Sequence, residues 1–242
     1  MEDVIDKLRK LHLSSMVEAY QAQIENPNSD LRSFDDRFKE IVNYEWDARY
    51  NKKINRFIKK ATLKYPDADF DESIYEADRL LDTKAIEALC ELTWIRDARN
   101  ILITGSTGAG KTYLANALCI TAIRRFYNVK YIKSSAVIHG LEKAEIDKTY
   151  DEVLKKYSSY DVLALDDFGL MELDIDKCRN LFELIDSRES RKPTVIISQL
   201  PVSSWYDLFK DNTYADASMD RLIHKAYRIE MNGKNMRNPQ SK

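Results

Sequence analysis

The apolar residues of this chain follow two rhythms. Through roughly the first hundred residues they recur at three- and four-residue spacing, the repeat of one helix face. Residues 3–94 contain no glycine, and only Pro27 and Pro66 interrupt them. Ser15-Met16-Val17-Glu18 has the form of a capping box, in which the Ser hydroxyl accepts a backbone N–H and the Glu reaches back; Val17, Tyr20 and Ile24 then follow on one face. A second start lies at Ser33. Phe34, Phe38, Ile41, Val42, Trp46 and Tyr50 continue one face, Ile54, Phe57 and Ile58 extend it, and together they predict a helix of about 28 residues. A helix of that length exceeds what a small domain needs and suits presentation to a partner. Tyr65 to Asp71 reads as a turn, with shorter helices expected over 72–81 and 83–93.

From Asn100 the rhythm changes to short apolar runs separated by helical stretches. Ile101-Leu102-Ile103-Thr104 reads as a buried strand, followed by a glycine loop and a helix from Lys111 to about Tyr127. Further strands are expected at Val129–Ile132, Val162–Asp166, Thr194–Ser198 and Tyr227–Met231, with a polar helical stretch after the second and a helix Lys177–Ser190 after the third. Leu181, Phe182, Leu184 and Ile185 form the core side of that helix. Five strands alternating with helices predict an α/β fold: a parallel sheet sandwiched by helices, preceded by a small all-α N-terminal domain. The expected division is a helical domain over 1–71 and the sheet-bearing domain over 72–242.

Composition narrows the classes. The chain has 242 residues, 44% hydrophobic and 32% charged, with a formal net charge of -2. This suits a soluble globular chain, and no window approaches the ~18 apolar residues that span a bilayer. The N-terminus is acidic and amphipathic, unlike a signal peptide, so a cytoplasmic protein without a membrane partner is expected. Cys90, Cys119 and Cys178 form no C-x-x-C pair and read as reduced core residues. The neutral average hides one asymmetry. Arg49 to Lys64 carries seven basic residues and no acidic one. In a helix, Lys52, Arg56, Lys59 and Lys60 share a face while Ile54, Phe57 and Ile58 point broadly the other way. Such a face is either simply solvated or tracks nucleic-acid phosphates.

The strongest chemistry is Gly105-Ser106-Thr107-Gly108-Ala109-Gly110-Lys111-Thr112, a match to G-x-x-x-x-G-K-[ST] between a buried strand and a helix. Glycines let backbone N–H groups close around phosphates, and the helix N-terminus favours the anion. Lys111 supplies charge to the β and γ phosphates, the Thr112 hydroxyl can enter a magnesium shell, and Tyr113 follows at the nucleotide. Asp166 and Asp167 end a buried strand, where unpaired charge is costly unless a cation is held. Asp166 is the expected magnesium ligand, and Asp167 the group that polarises the attacking water. Ser198-Gln199, ending the next strand, can touch the γ-phosphate. ATP and Mg2+ are thus the expected cofactors and ATP hydrolysis the expected reaction.

These segments resemble the IstB family, the ATP-binding helpers of insertion-sequence transposition within the AAA+ class, to which DnaC-like helicase loaders are close relatives. The resemblance covers nearly the whole chain. It is carried by Leu8–Met16, Glu45-Trp46-Asp47-Ala48-Arg49, Gly105–Thr112 with Leu114-Ala115, Asp166-Asp167-Phe168-Gly169, Ser198–Trp205, Asp220-Arg221-Leu222-Ile223-His224 and Gly233–Arg237. It implies that Arg221 is an arginine finger reaching into a neighbouring subunit's site. It likewise implies that Arg237 contacts nucleotide in its own subunit and that the N-terminal helices form an assembly domain. Asp167 and Asn235 stand where the family more often has Glu and Ser, which bears on catalytic rate more than on nucleotide binding. His224, Trp94 and Trp205 read as packing or interface residues. The resemblance implies a homo-oligomer, with the ATP site at subunit interfaces, on duplex DNA without sequence preference, and a transposase partner. A replicative helicase loader is the alternative. A nucleotide-dependent scaffold for protein alone is a third reading, against which the basic run argues.

Overall fold

The computed structural model describes residues 2–70 and 83–231. The expected helix over 72–81 and the segment Gly233–Arg237 lie outside the described residues. The chain divides into two units, Met1–Arg56 and Phe57–Lys242. The division falls inside one long helix, whereas composition puts the domain boundary at residue 71.

The first unit contains α1 (Glu2–Lys10), α2 (Ser14–Glu25) and most of α3 (Phe34–Ala61), which has the expected 28 residues. The Ser33 hydroxyl caps α3 by accepting the Asp36 N–H at 3.2 Å. The capping box expected at Ser15 does not form. Leu13 holds the N-cap position of α2 without a side-chain cap. The Glu45 carboxylate of α3 instead accepts the Met16 N–H at 3.0 Å and pairs with Arg49 at 2.6 Å. Burial alone would raise the Glu45 carboxyl, but the bonds from Arg49, Met16 and Ser15 hold it below its usual value. A tertiary carboxylate thus replaces the local cap.

The apolar face read along α3 also needs correction. Ile41, Glu45 and Ile54 are buried, whereas Phe34, Phe38, Val42 and Trp46 are 40–71% exposed. Four-residue steps carry that stripe about 100° away from the side that Ile41 and Glu45 turn inward. Phe34 and Phe38 cover part of each other by stacking, with ring centroids 5.8 Å apart.

In the second unit, α4 (Thr83–Cys90) and α5 (Thr93–Arg96) precede β1 (Ile101–Gly105), α6 (Lys111–Arg124) and β2 (Val129–Lys133). The polar stretch after β2 is two helices, α7 (Ser134–Ile146) and α8 (Tyr150–Ser159). Then come β3 (Val162–Phe168), α9 (Ile175–Arg188), β4 (Thr194–Ser198), α10 (Asn212–Ile223) and β5 (Tyr227–Met231). The five strands lie in the order β2-β3-β4-β1-β5, all neighbours parallel. The three central strands β1, β3 and β4 are buried along nearly their whole length and read as apolar runs, whereas the edge strands β2 and β5 carry Lys130, Lys133, Arg228 and Glu230 between their apolar residues. Leu102, Leu163, Leu165 and Ile196 join a core with Val137, Leu141, Leu181, Leu184, Trp205 and Leu222. On α6, Leu114, Leu118 and Ile123 are buried as well.

Trp94 and Trp205 are fully buried, as packing residues should be; His224 is exposed just beyond α10. Cys119 and Cys178 are buried and Cys90 half-buried, all three as free thiols, and burial pushes the Cys119 thiol up to about 12. Arg188, 2% exposed, donates to the carbonyls of Tyr157, Tyr160 and Pro193 and to the Thr194 hydroxyl, tying the end of α8 to the start of β4. No helix among the described residues is long and apolar enough to cross a membrane.

Candidate nucleotide site

The site forms at the carboxyl ends of β1, β3 and β4, where open parallel sheets place their ligands. A cavity of about 540 Å³ is lined by Thr107, Gly108, Gly110, Lys111, Thr112 and Tyr113, by Asp166 and Asp167, and by Ile197, Ser198 and Gln199. Most of the predicted nucleotide residues therefore converge. Ala109 is buried behind the loop, where its N–H bonds the Ser106 carbonyl at 3.3 Å.

The two outer glycines of the loop serve different needs. A Cβ on Gly105 would stand 2.1 Å from the Met231 carbonyl oxygen, so its reason is the close approach of β5. Gly110 has φ +93° as the N-cap of α6, a conformation that turns the loop into the helix. Lys111, 7% exposed, lies along the loop and donates to the Gly105 and Ser106 carbonyls at 2.8 and 2.7 Å.

Asp166 is 4% exposed, and its Oδ2 accepts from the Thr112 hydroxyl at 3.2 Å. These are the two residues assigned to magnesium, brought together by α6 and β3. Both offer oxygen, the donor that a hard divalent cation takes. Among the described residues no group of three or more His, Cys, Asp or Glu forms a cage. Magnesium on a nucleotide needs only one or two carboxylates beside the phosphates, so the donor set fits.

The Tyr131 hydroxyl of β2 also donates to Asp166 Oδ2. Burial, and then the Asp166 bond, push the Tyr131 phenol well above its ordinary value, so it stays a donor. Sequence reading missed Tyr131. Its signal was a tyrosine on the same strand face as Val129, a buried position, where its hydroxyl needs a partner.

Successive residues of a strand point to opposite faces, yet Asp166 and Asp167 both line the cavity. A break in the β3–β4 register between Leu165 and Phe168 makes this possible. Asp167 takes φ +56° there, and its N–H bonds Asp166 Oδ1 at 2.8 Å. Such a bulge re-aims a side chain, and the left-handed conformation of a non-glycine residue stores strain at a functional position. The Asp167 carboxylate pairs at 2.9 Å with Lys133, which ends the neighbouring strand β2. The bond to Asp167 raises the Lys133 ammonium above its ordinary value. Lys133 was also missed; it becomes visible only once β2 is registered beside β3.

Ser198 and Gln199 part company. The Ser198 hydroxyl, 1% exposed as a residue, donates to the Phe168 carbonyl at 2.7 Å and accepts the Leu200 N–H at 3.1 Å. It lines the cavity while its hydroxyl ties β4 to β3. Gln199 is exposed over the loop, its Oε1 accepting from the Thr107 hydroxyl at 2.6 Å.

Arg221 on α10 is held by Asp186 and Glu189, at 2.9 and 3.0 Å, and lies over the Phe182 ring. It is not among the residues lining the cavity of its own chain. Arg237 lies outside the described residues. Lys52, Arg56, Lys59 and Lys60 are all exposed on α3. Two further lining residues, Lys64 and Tyr65, read in the sequence only as the end of the basic run and the start of a turn, not as part of the nucleotide site.

The model of the IstB-like ATP binding protein family matches residues 6–242. The insertion sequence ATP-binding protein y4uH of Sinorhizobium fredii is 34% identical over 233 residues, covering 96% of this chain and 94% of that protein. The ATP-binding protein of insertion sequence IS1162 from Pseudomonas fluorescens is 34% identical over 203 residues, 84% of this chain and 88% of its own. Among solved structures, DnaI superposes with a TM-score of 0.55 at 22% identity, over 67% of this chain and 95% of that one. The DnaC helicase loader gives 0.53 at 17%, over 61% and 86%. At those identities the likeness speaks for the shared fold alone. Motif, site geometry and full-length kinship agree that this ATP-binding P-loop ATPase belongs to the IstB-like ATP binding protein family.

Proposed function

We propose that this protein is an ATP-dependent accessory factor of DNA transposition, which assembles as a homo-oligomer on duplex DNA and recruits or stimulates a transposase. The observation that carries this reading is near full-length kinship with ATP-binding proteins of insertion sequences. The exposed basic face of α3 supports the DNA part.

In this reading the loop N–H groups and Lys111 hold the β and γ phosphates. Thr112 and Asp166 hold Mg2+, whose charge would offset that developing on the phosphates. Asp167 orients and polarises the attacking water, with Lys133 setting its carboxylate in place, and Gln199 faces the γ-phosphate end. Arg221 acts on the site of the next subunit, its guanidinium aimed by Asp186 and Glu189. Asp167→Asn should then keep ATP affinity while turnover falls by about 10²–10⁴, the usual worth of a positioned general base. Phosphate release beside calorimetry checks this, and unchanged turnover assigns the base role elsewhere.

Phosphate contacts carry little sequence information and depend steeply on salt. Replacing Lys52, Arg56, Lys59 and Lys60 with Ala should weaken duplex binding across unrelated sequences. The slope of log K against log salt should shrink by roughly 0.9 for each phosphate that is no longer neutralised. Anisotropy titrations over a salt series measure both, and an unchanged affinity and slope would put the DNA surface on other residues.

A further inference from the structure

The nucleotide cavity extends past the phosphate loop, and its far wall has no part in the phosphate and magnesium chemistry. That wall is aromatic. Tyr65 and Tyr113 are the only aromatic side chains lining the cavity among the described residues. Tyr113 stands directly after Thr112 on α6, and Tyr65 lies in the turn that follows α3. Their ring centroids are 5.8 Å apart and their planes tilted by 53°.

The turn that carries Tyr65 is fixed to α6 at three points. The Tyr65 N–H donates to Asn116 Oδ1 at 3.1 Å, and the Asn116 amide, wholly buried, donates in turn to the Thr112 carbonyl at 2.7 Å. The Asp69 N–H meets the Tyr113 hydroxyl at 3.3 Å, and the Asp69 carboxylate pairs with Arg124 at 3.0 Å. Tyr65 is therefore positioned from the helix turn that bears Thr112. Its ring is half-buried, which leaves surface for a ligand. A turn held this firmly offers its ring with little ordering left to do on binding.

A nucleotide whose phosphates occupy the loop must send its base elsewhere in the cavity. Every base has a π face, and aromatic rings stack on it with useful strength. We propose that Tyr65 is the stacking platform of a nucleobase subsite, with Tyr113 beside it and Asn116 as the residue that positions it. The ligand is then a nucleoside triphosphate gripped at both ends, the polyphosphate by Gly105–Thr112 and the base by Tyr65. This deepens the proposed nucleotide chemistry and rests on it.

The test titrates wild type, Tyr65→Ala and Tyr65→Trp with two probes, ATP and inorganic tripolyphosphate, each with magnesium, by calorimetry. Tyr65→Ala should lose about 10- to 100-fold in ATP affinity, the range expected of one base–aromatic stack, while tripolyphosphate binds as in wild type. Tyr65→Trp should keep ATP affinity. Its added fluorescence, measured against wild type with Trp46, Trp94 and Trp205, should be quenched by ATP and not by tripolyphosphate. Wild-type ATP affinity in Tyr65→Ala, or equal losses for both probes, overturns the proposal. If Tyr65→Ala does not fold, the Trp signal decides alone, and equal or absent quenching by both probes overturns it. A wild-type protein that binds no ATP would instead remove the nucleotide reading itself, an outcome distinct from ATP binding that ignores Tyr65.

Discussion

Lys111→Ala is expected to lower ATP affinity by about 100-fold or more, the worth of two charge-assisted hydrogen bonds of roughly 1.5–3 kcal/mol each. Lys111 is the only lysine or arginine of the phosphate loop, and its ammonium already lies along that loop, bonded to the Gly105 and Ser106 carbonyls. Alanine removes the charge while Gly110, the Thr112 hydroxyl and the α6 N-terminus stay. What remains is a neutral cradle of N–H groups facing a polyanion. The variant should fold, because Lys111 caps a loop and fills no part of the sheet core. Circular dichroism establishes the fold and calorimetry the affinity. Near-wild-type affinity in a folded variant would remove the phosphate assignment.

The second large effect is expected at Arg221. Arg221→Ala subunits should bind ATP normally while hydrolysis falls by about 10³ or more, the low end for an arginine finger. Arg221 does not line the cavity of its own chain; its guanidinium is held by Asp186 and Glu189 and lies over the Phe182 ring of α9. This placement is the reason to expect that it acts on the site of a second subunit. Mixing Arg221→Ala with Lys111→Ala protein should restore part of the activity, since one interface then joins an intact loop to an intact arginine. Two surface ion pairs between α9 and α10 are worth little stability, so loss of fold is not the expected cause. No rescue where mixed assemblies demonstrably form would give Arg221 a role in its own subunit or a structural one.

How far the site could be read in advance depended on the range of the interactions that build it. The phosphate loop is local: eight consecutive residues and their place between strand and helix carry its chemistry. The central strands β1, β3 and β4 were legible because both faces are buried and the apolar runs nearly continuous; the edge strands β2 and β5 were legible from apolar residues alternating with charged ones. Asp167, Tyr131 and Lys133 depend on how β2 and β3 are registered. One register break brings two adjacent carboxylates to one cavity, and no spacing in the sequence announces it. Tyr65 reaches the site through Asn116 and Tyr113, partners remote in sequence. The bond from the Ser198 hydroxyl to the Phe168 carbonyl was not legible, because a polar strand end looks the same whether it faces phosphate or a neighbouring carbonyl. Ser15 failed as a cap because the helix begins one residue earlier, at Ser14, and a carboxylate remote in sequence, Glu45 of α3, takes the Met16 N–H of its first turn. Local rules yield to tertiary partners at such places.

ATP is proposed to drive assembly of this chain on duplex DNA. Negative-stain imaging of the wild-type protein, with and without ATP and with duplex or single-stranded DNA added separately, tests it most directly. Regular oligomers are expected on duplex only when ATP is present, and none for Lys111→Ala. Assembly indifferent to ATP, or confined to single strands, would contradict it; the second result would favour a helicase loader.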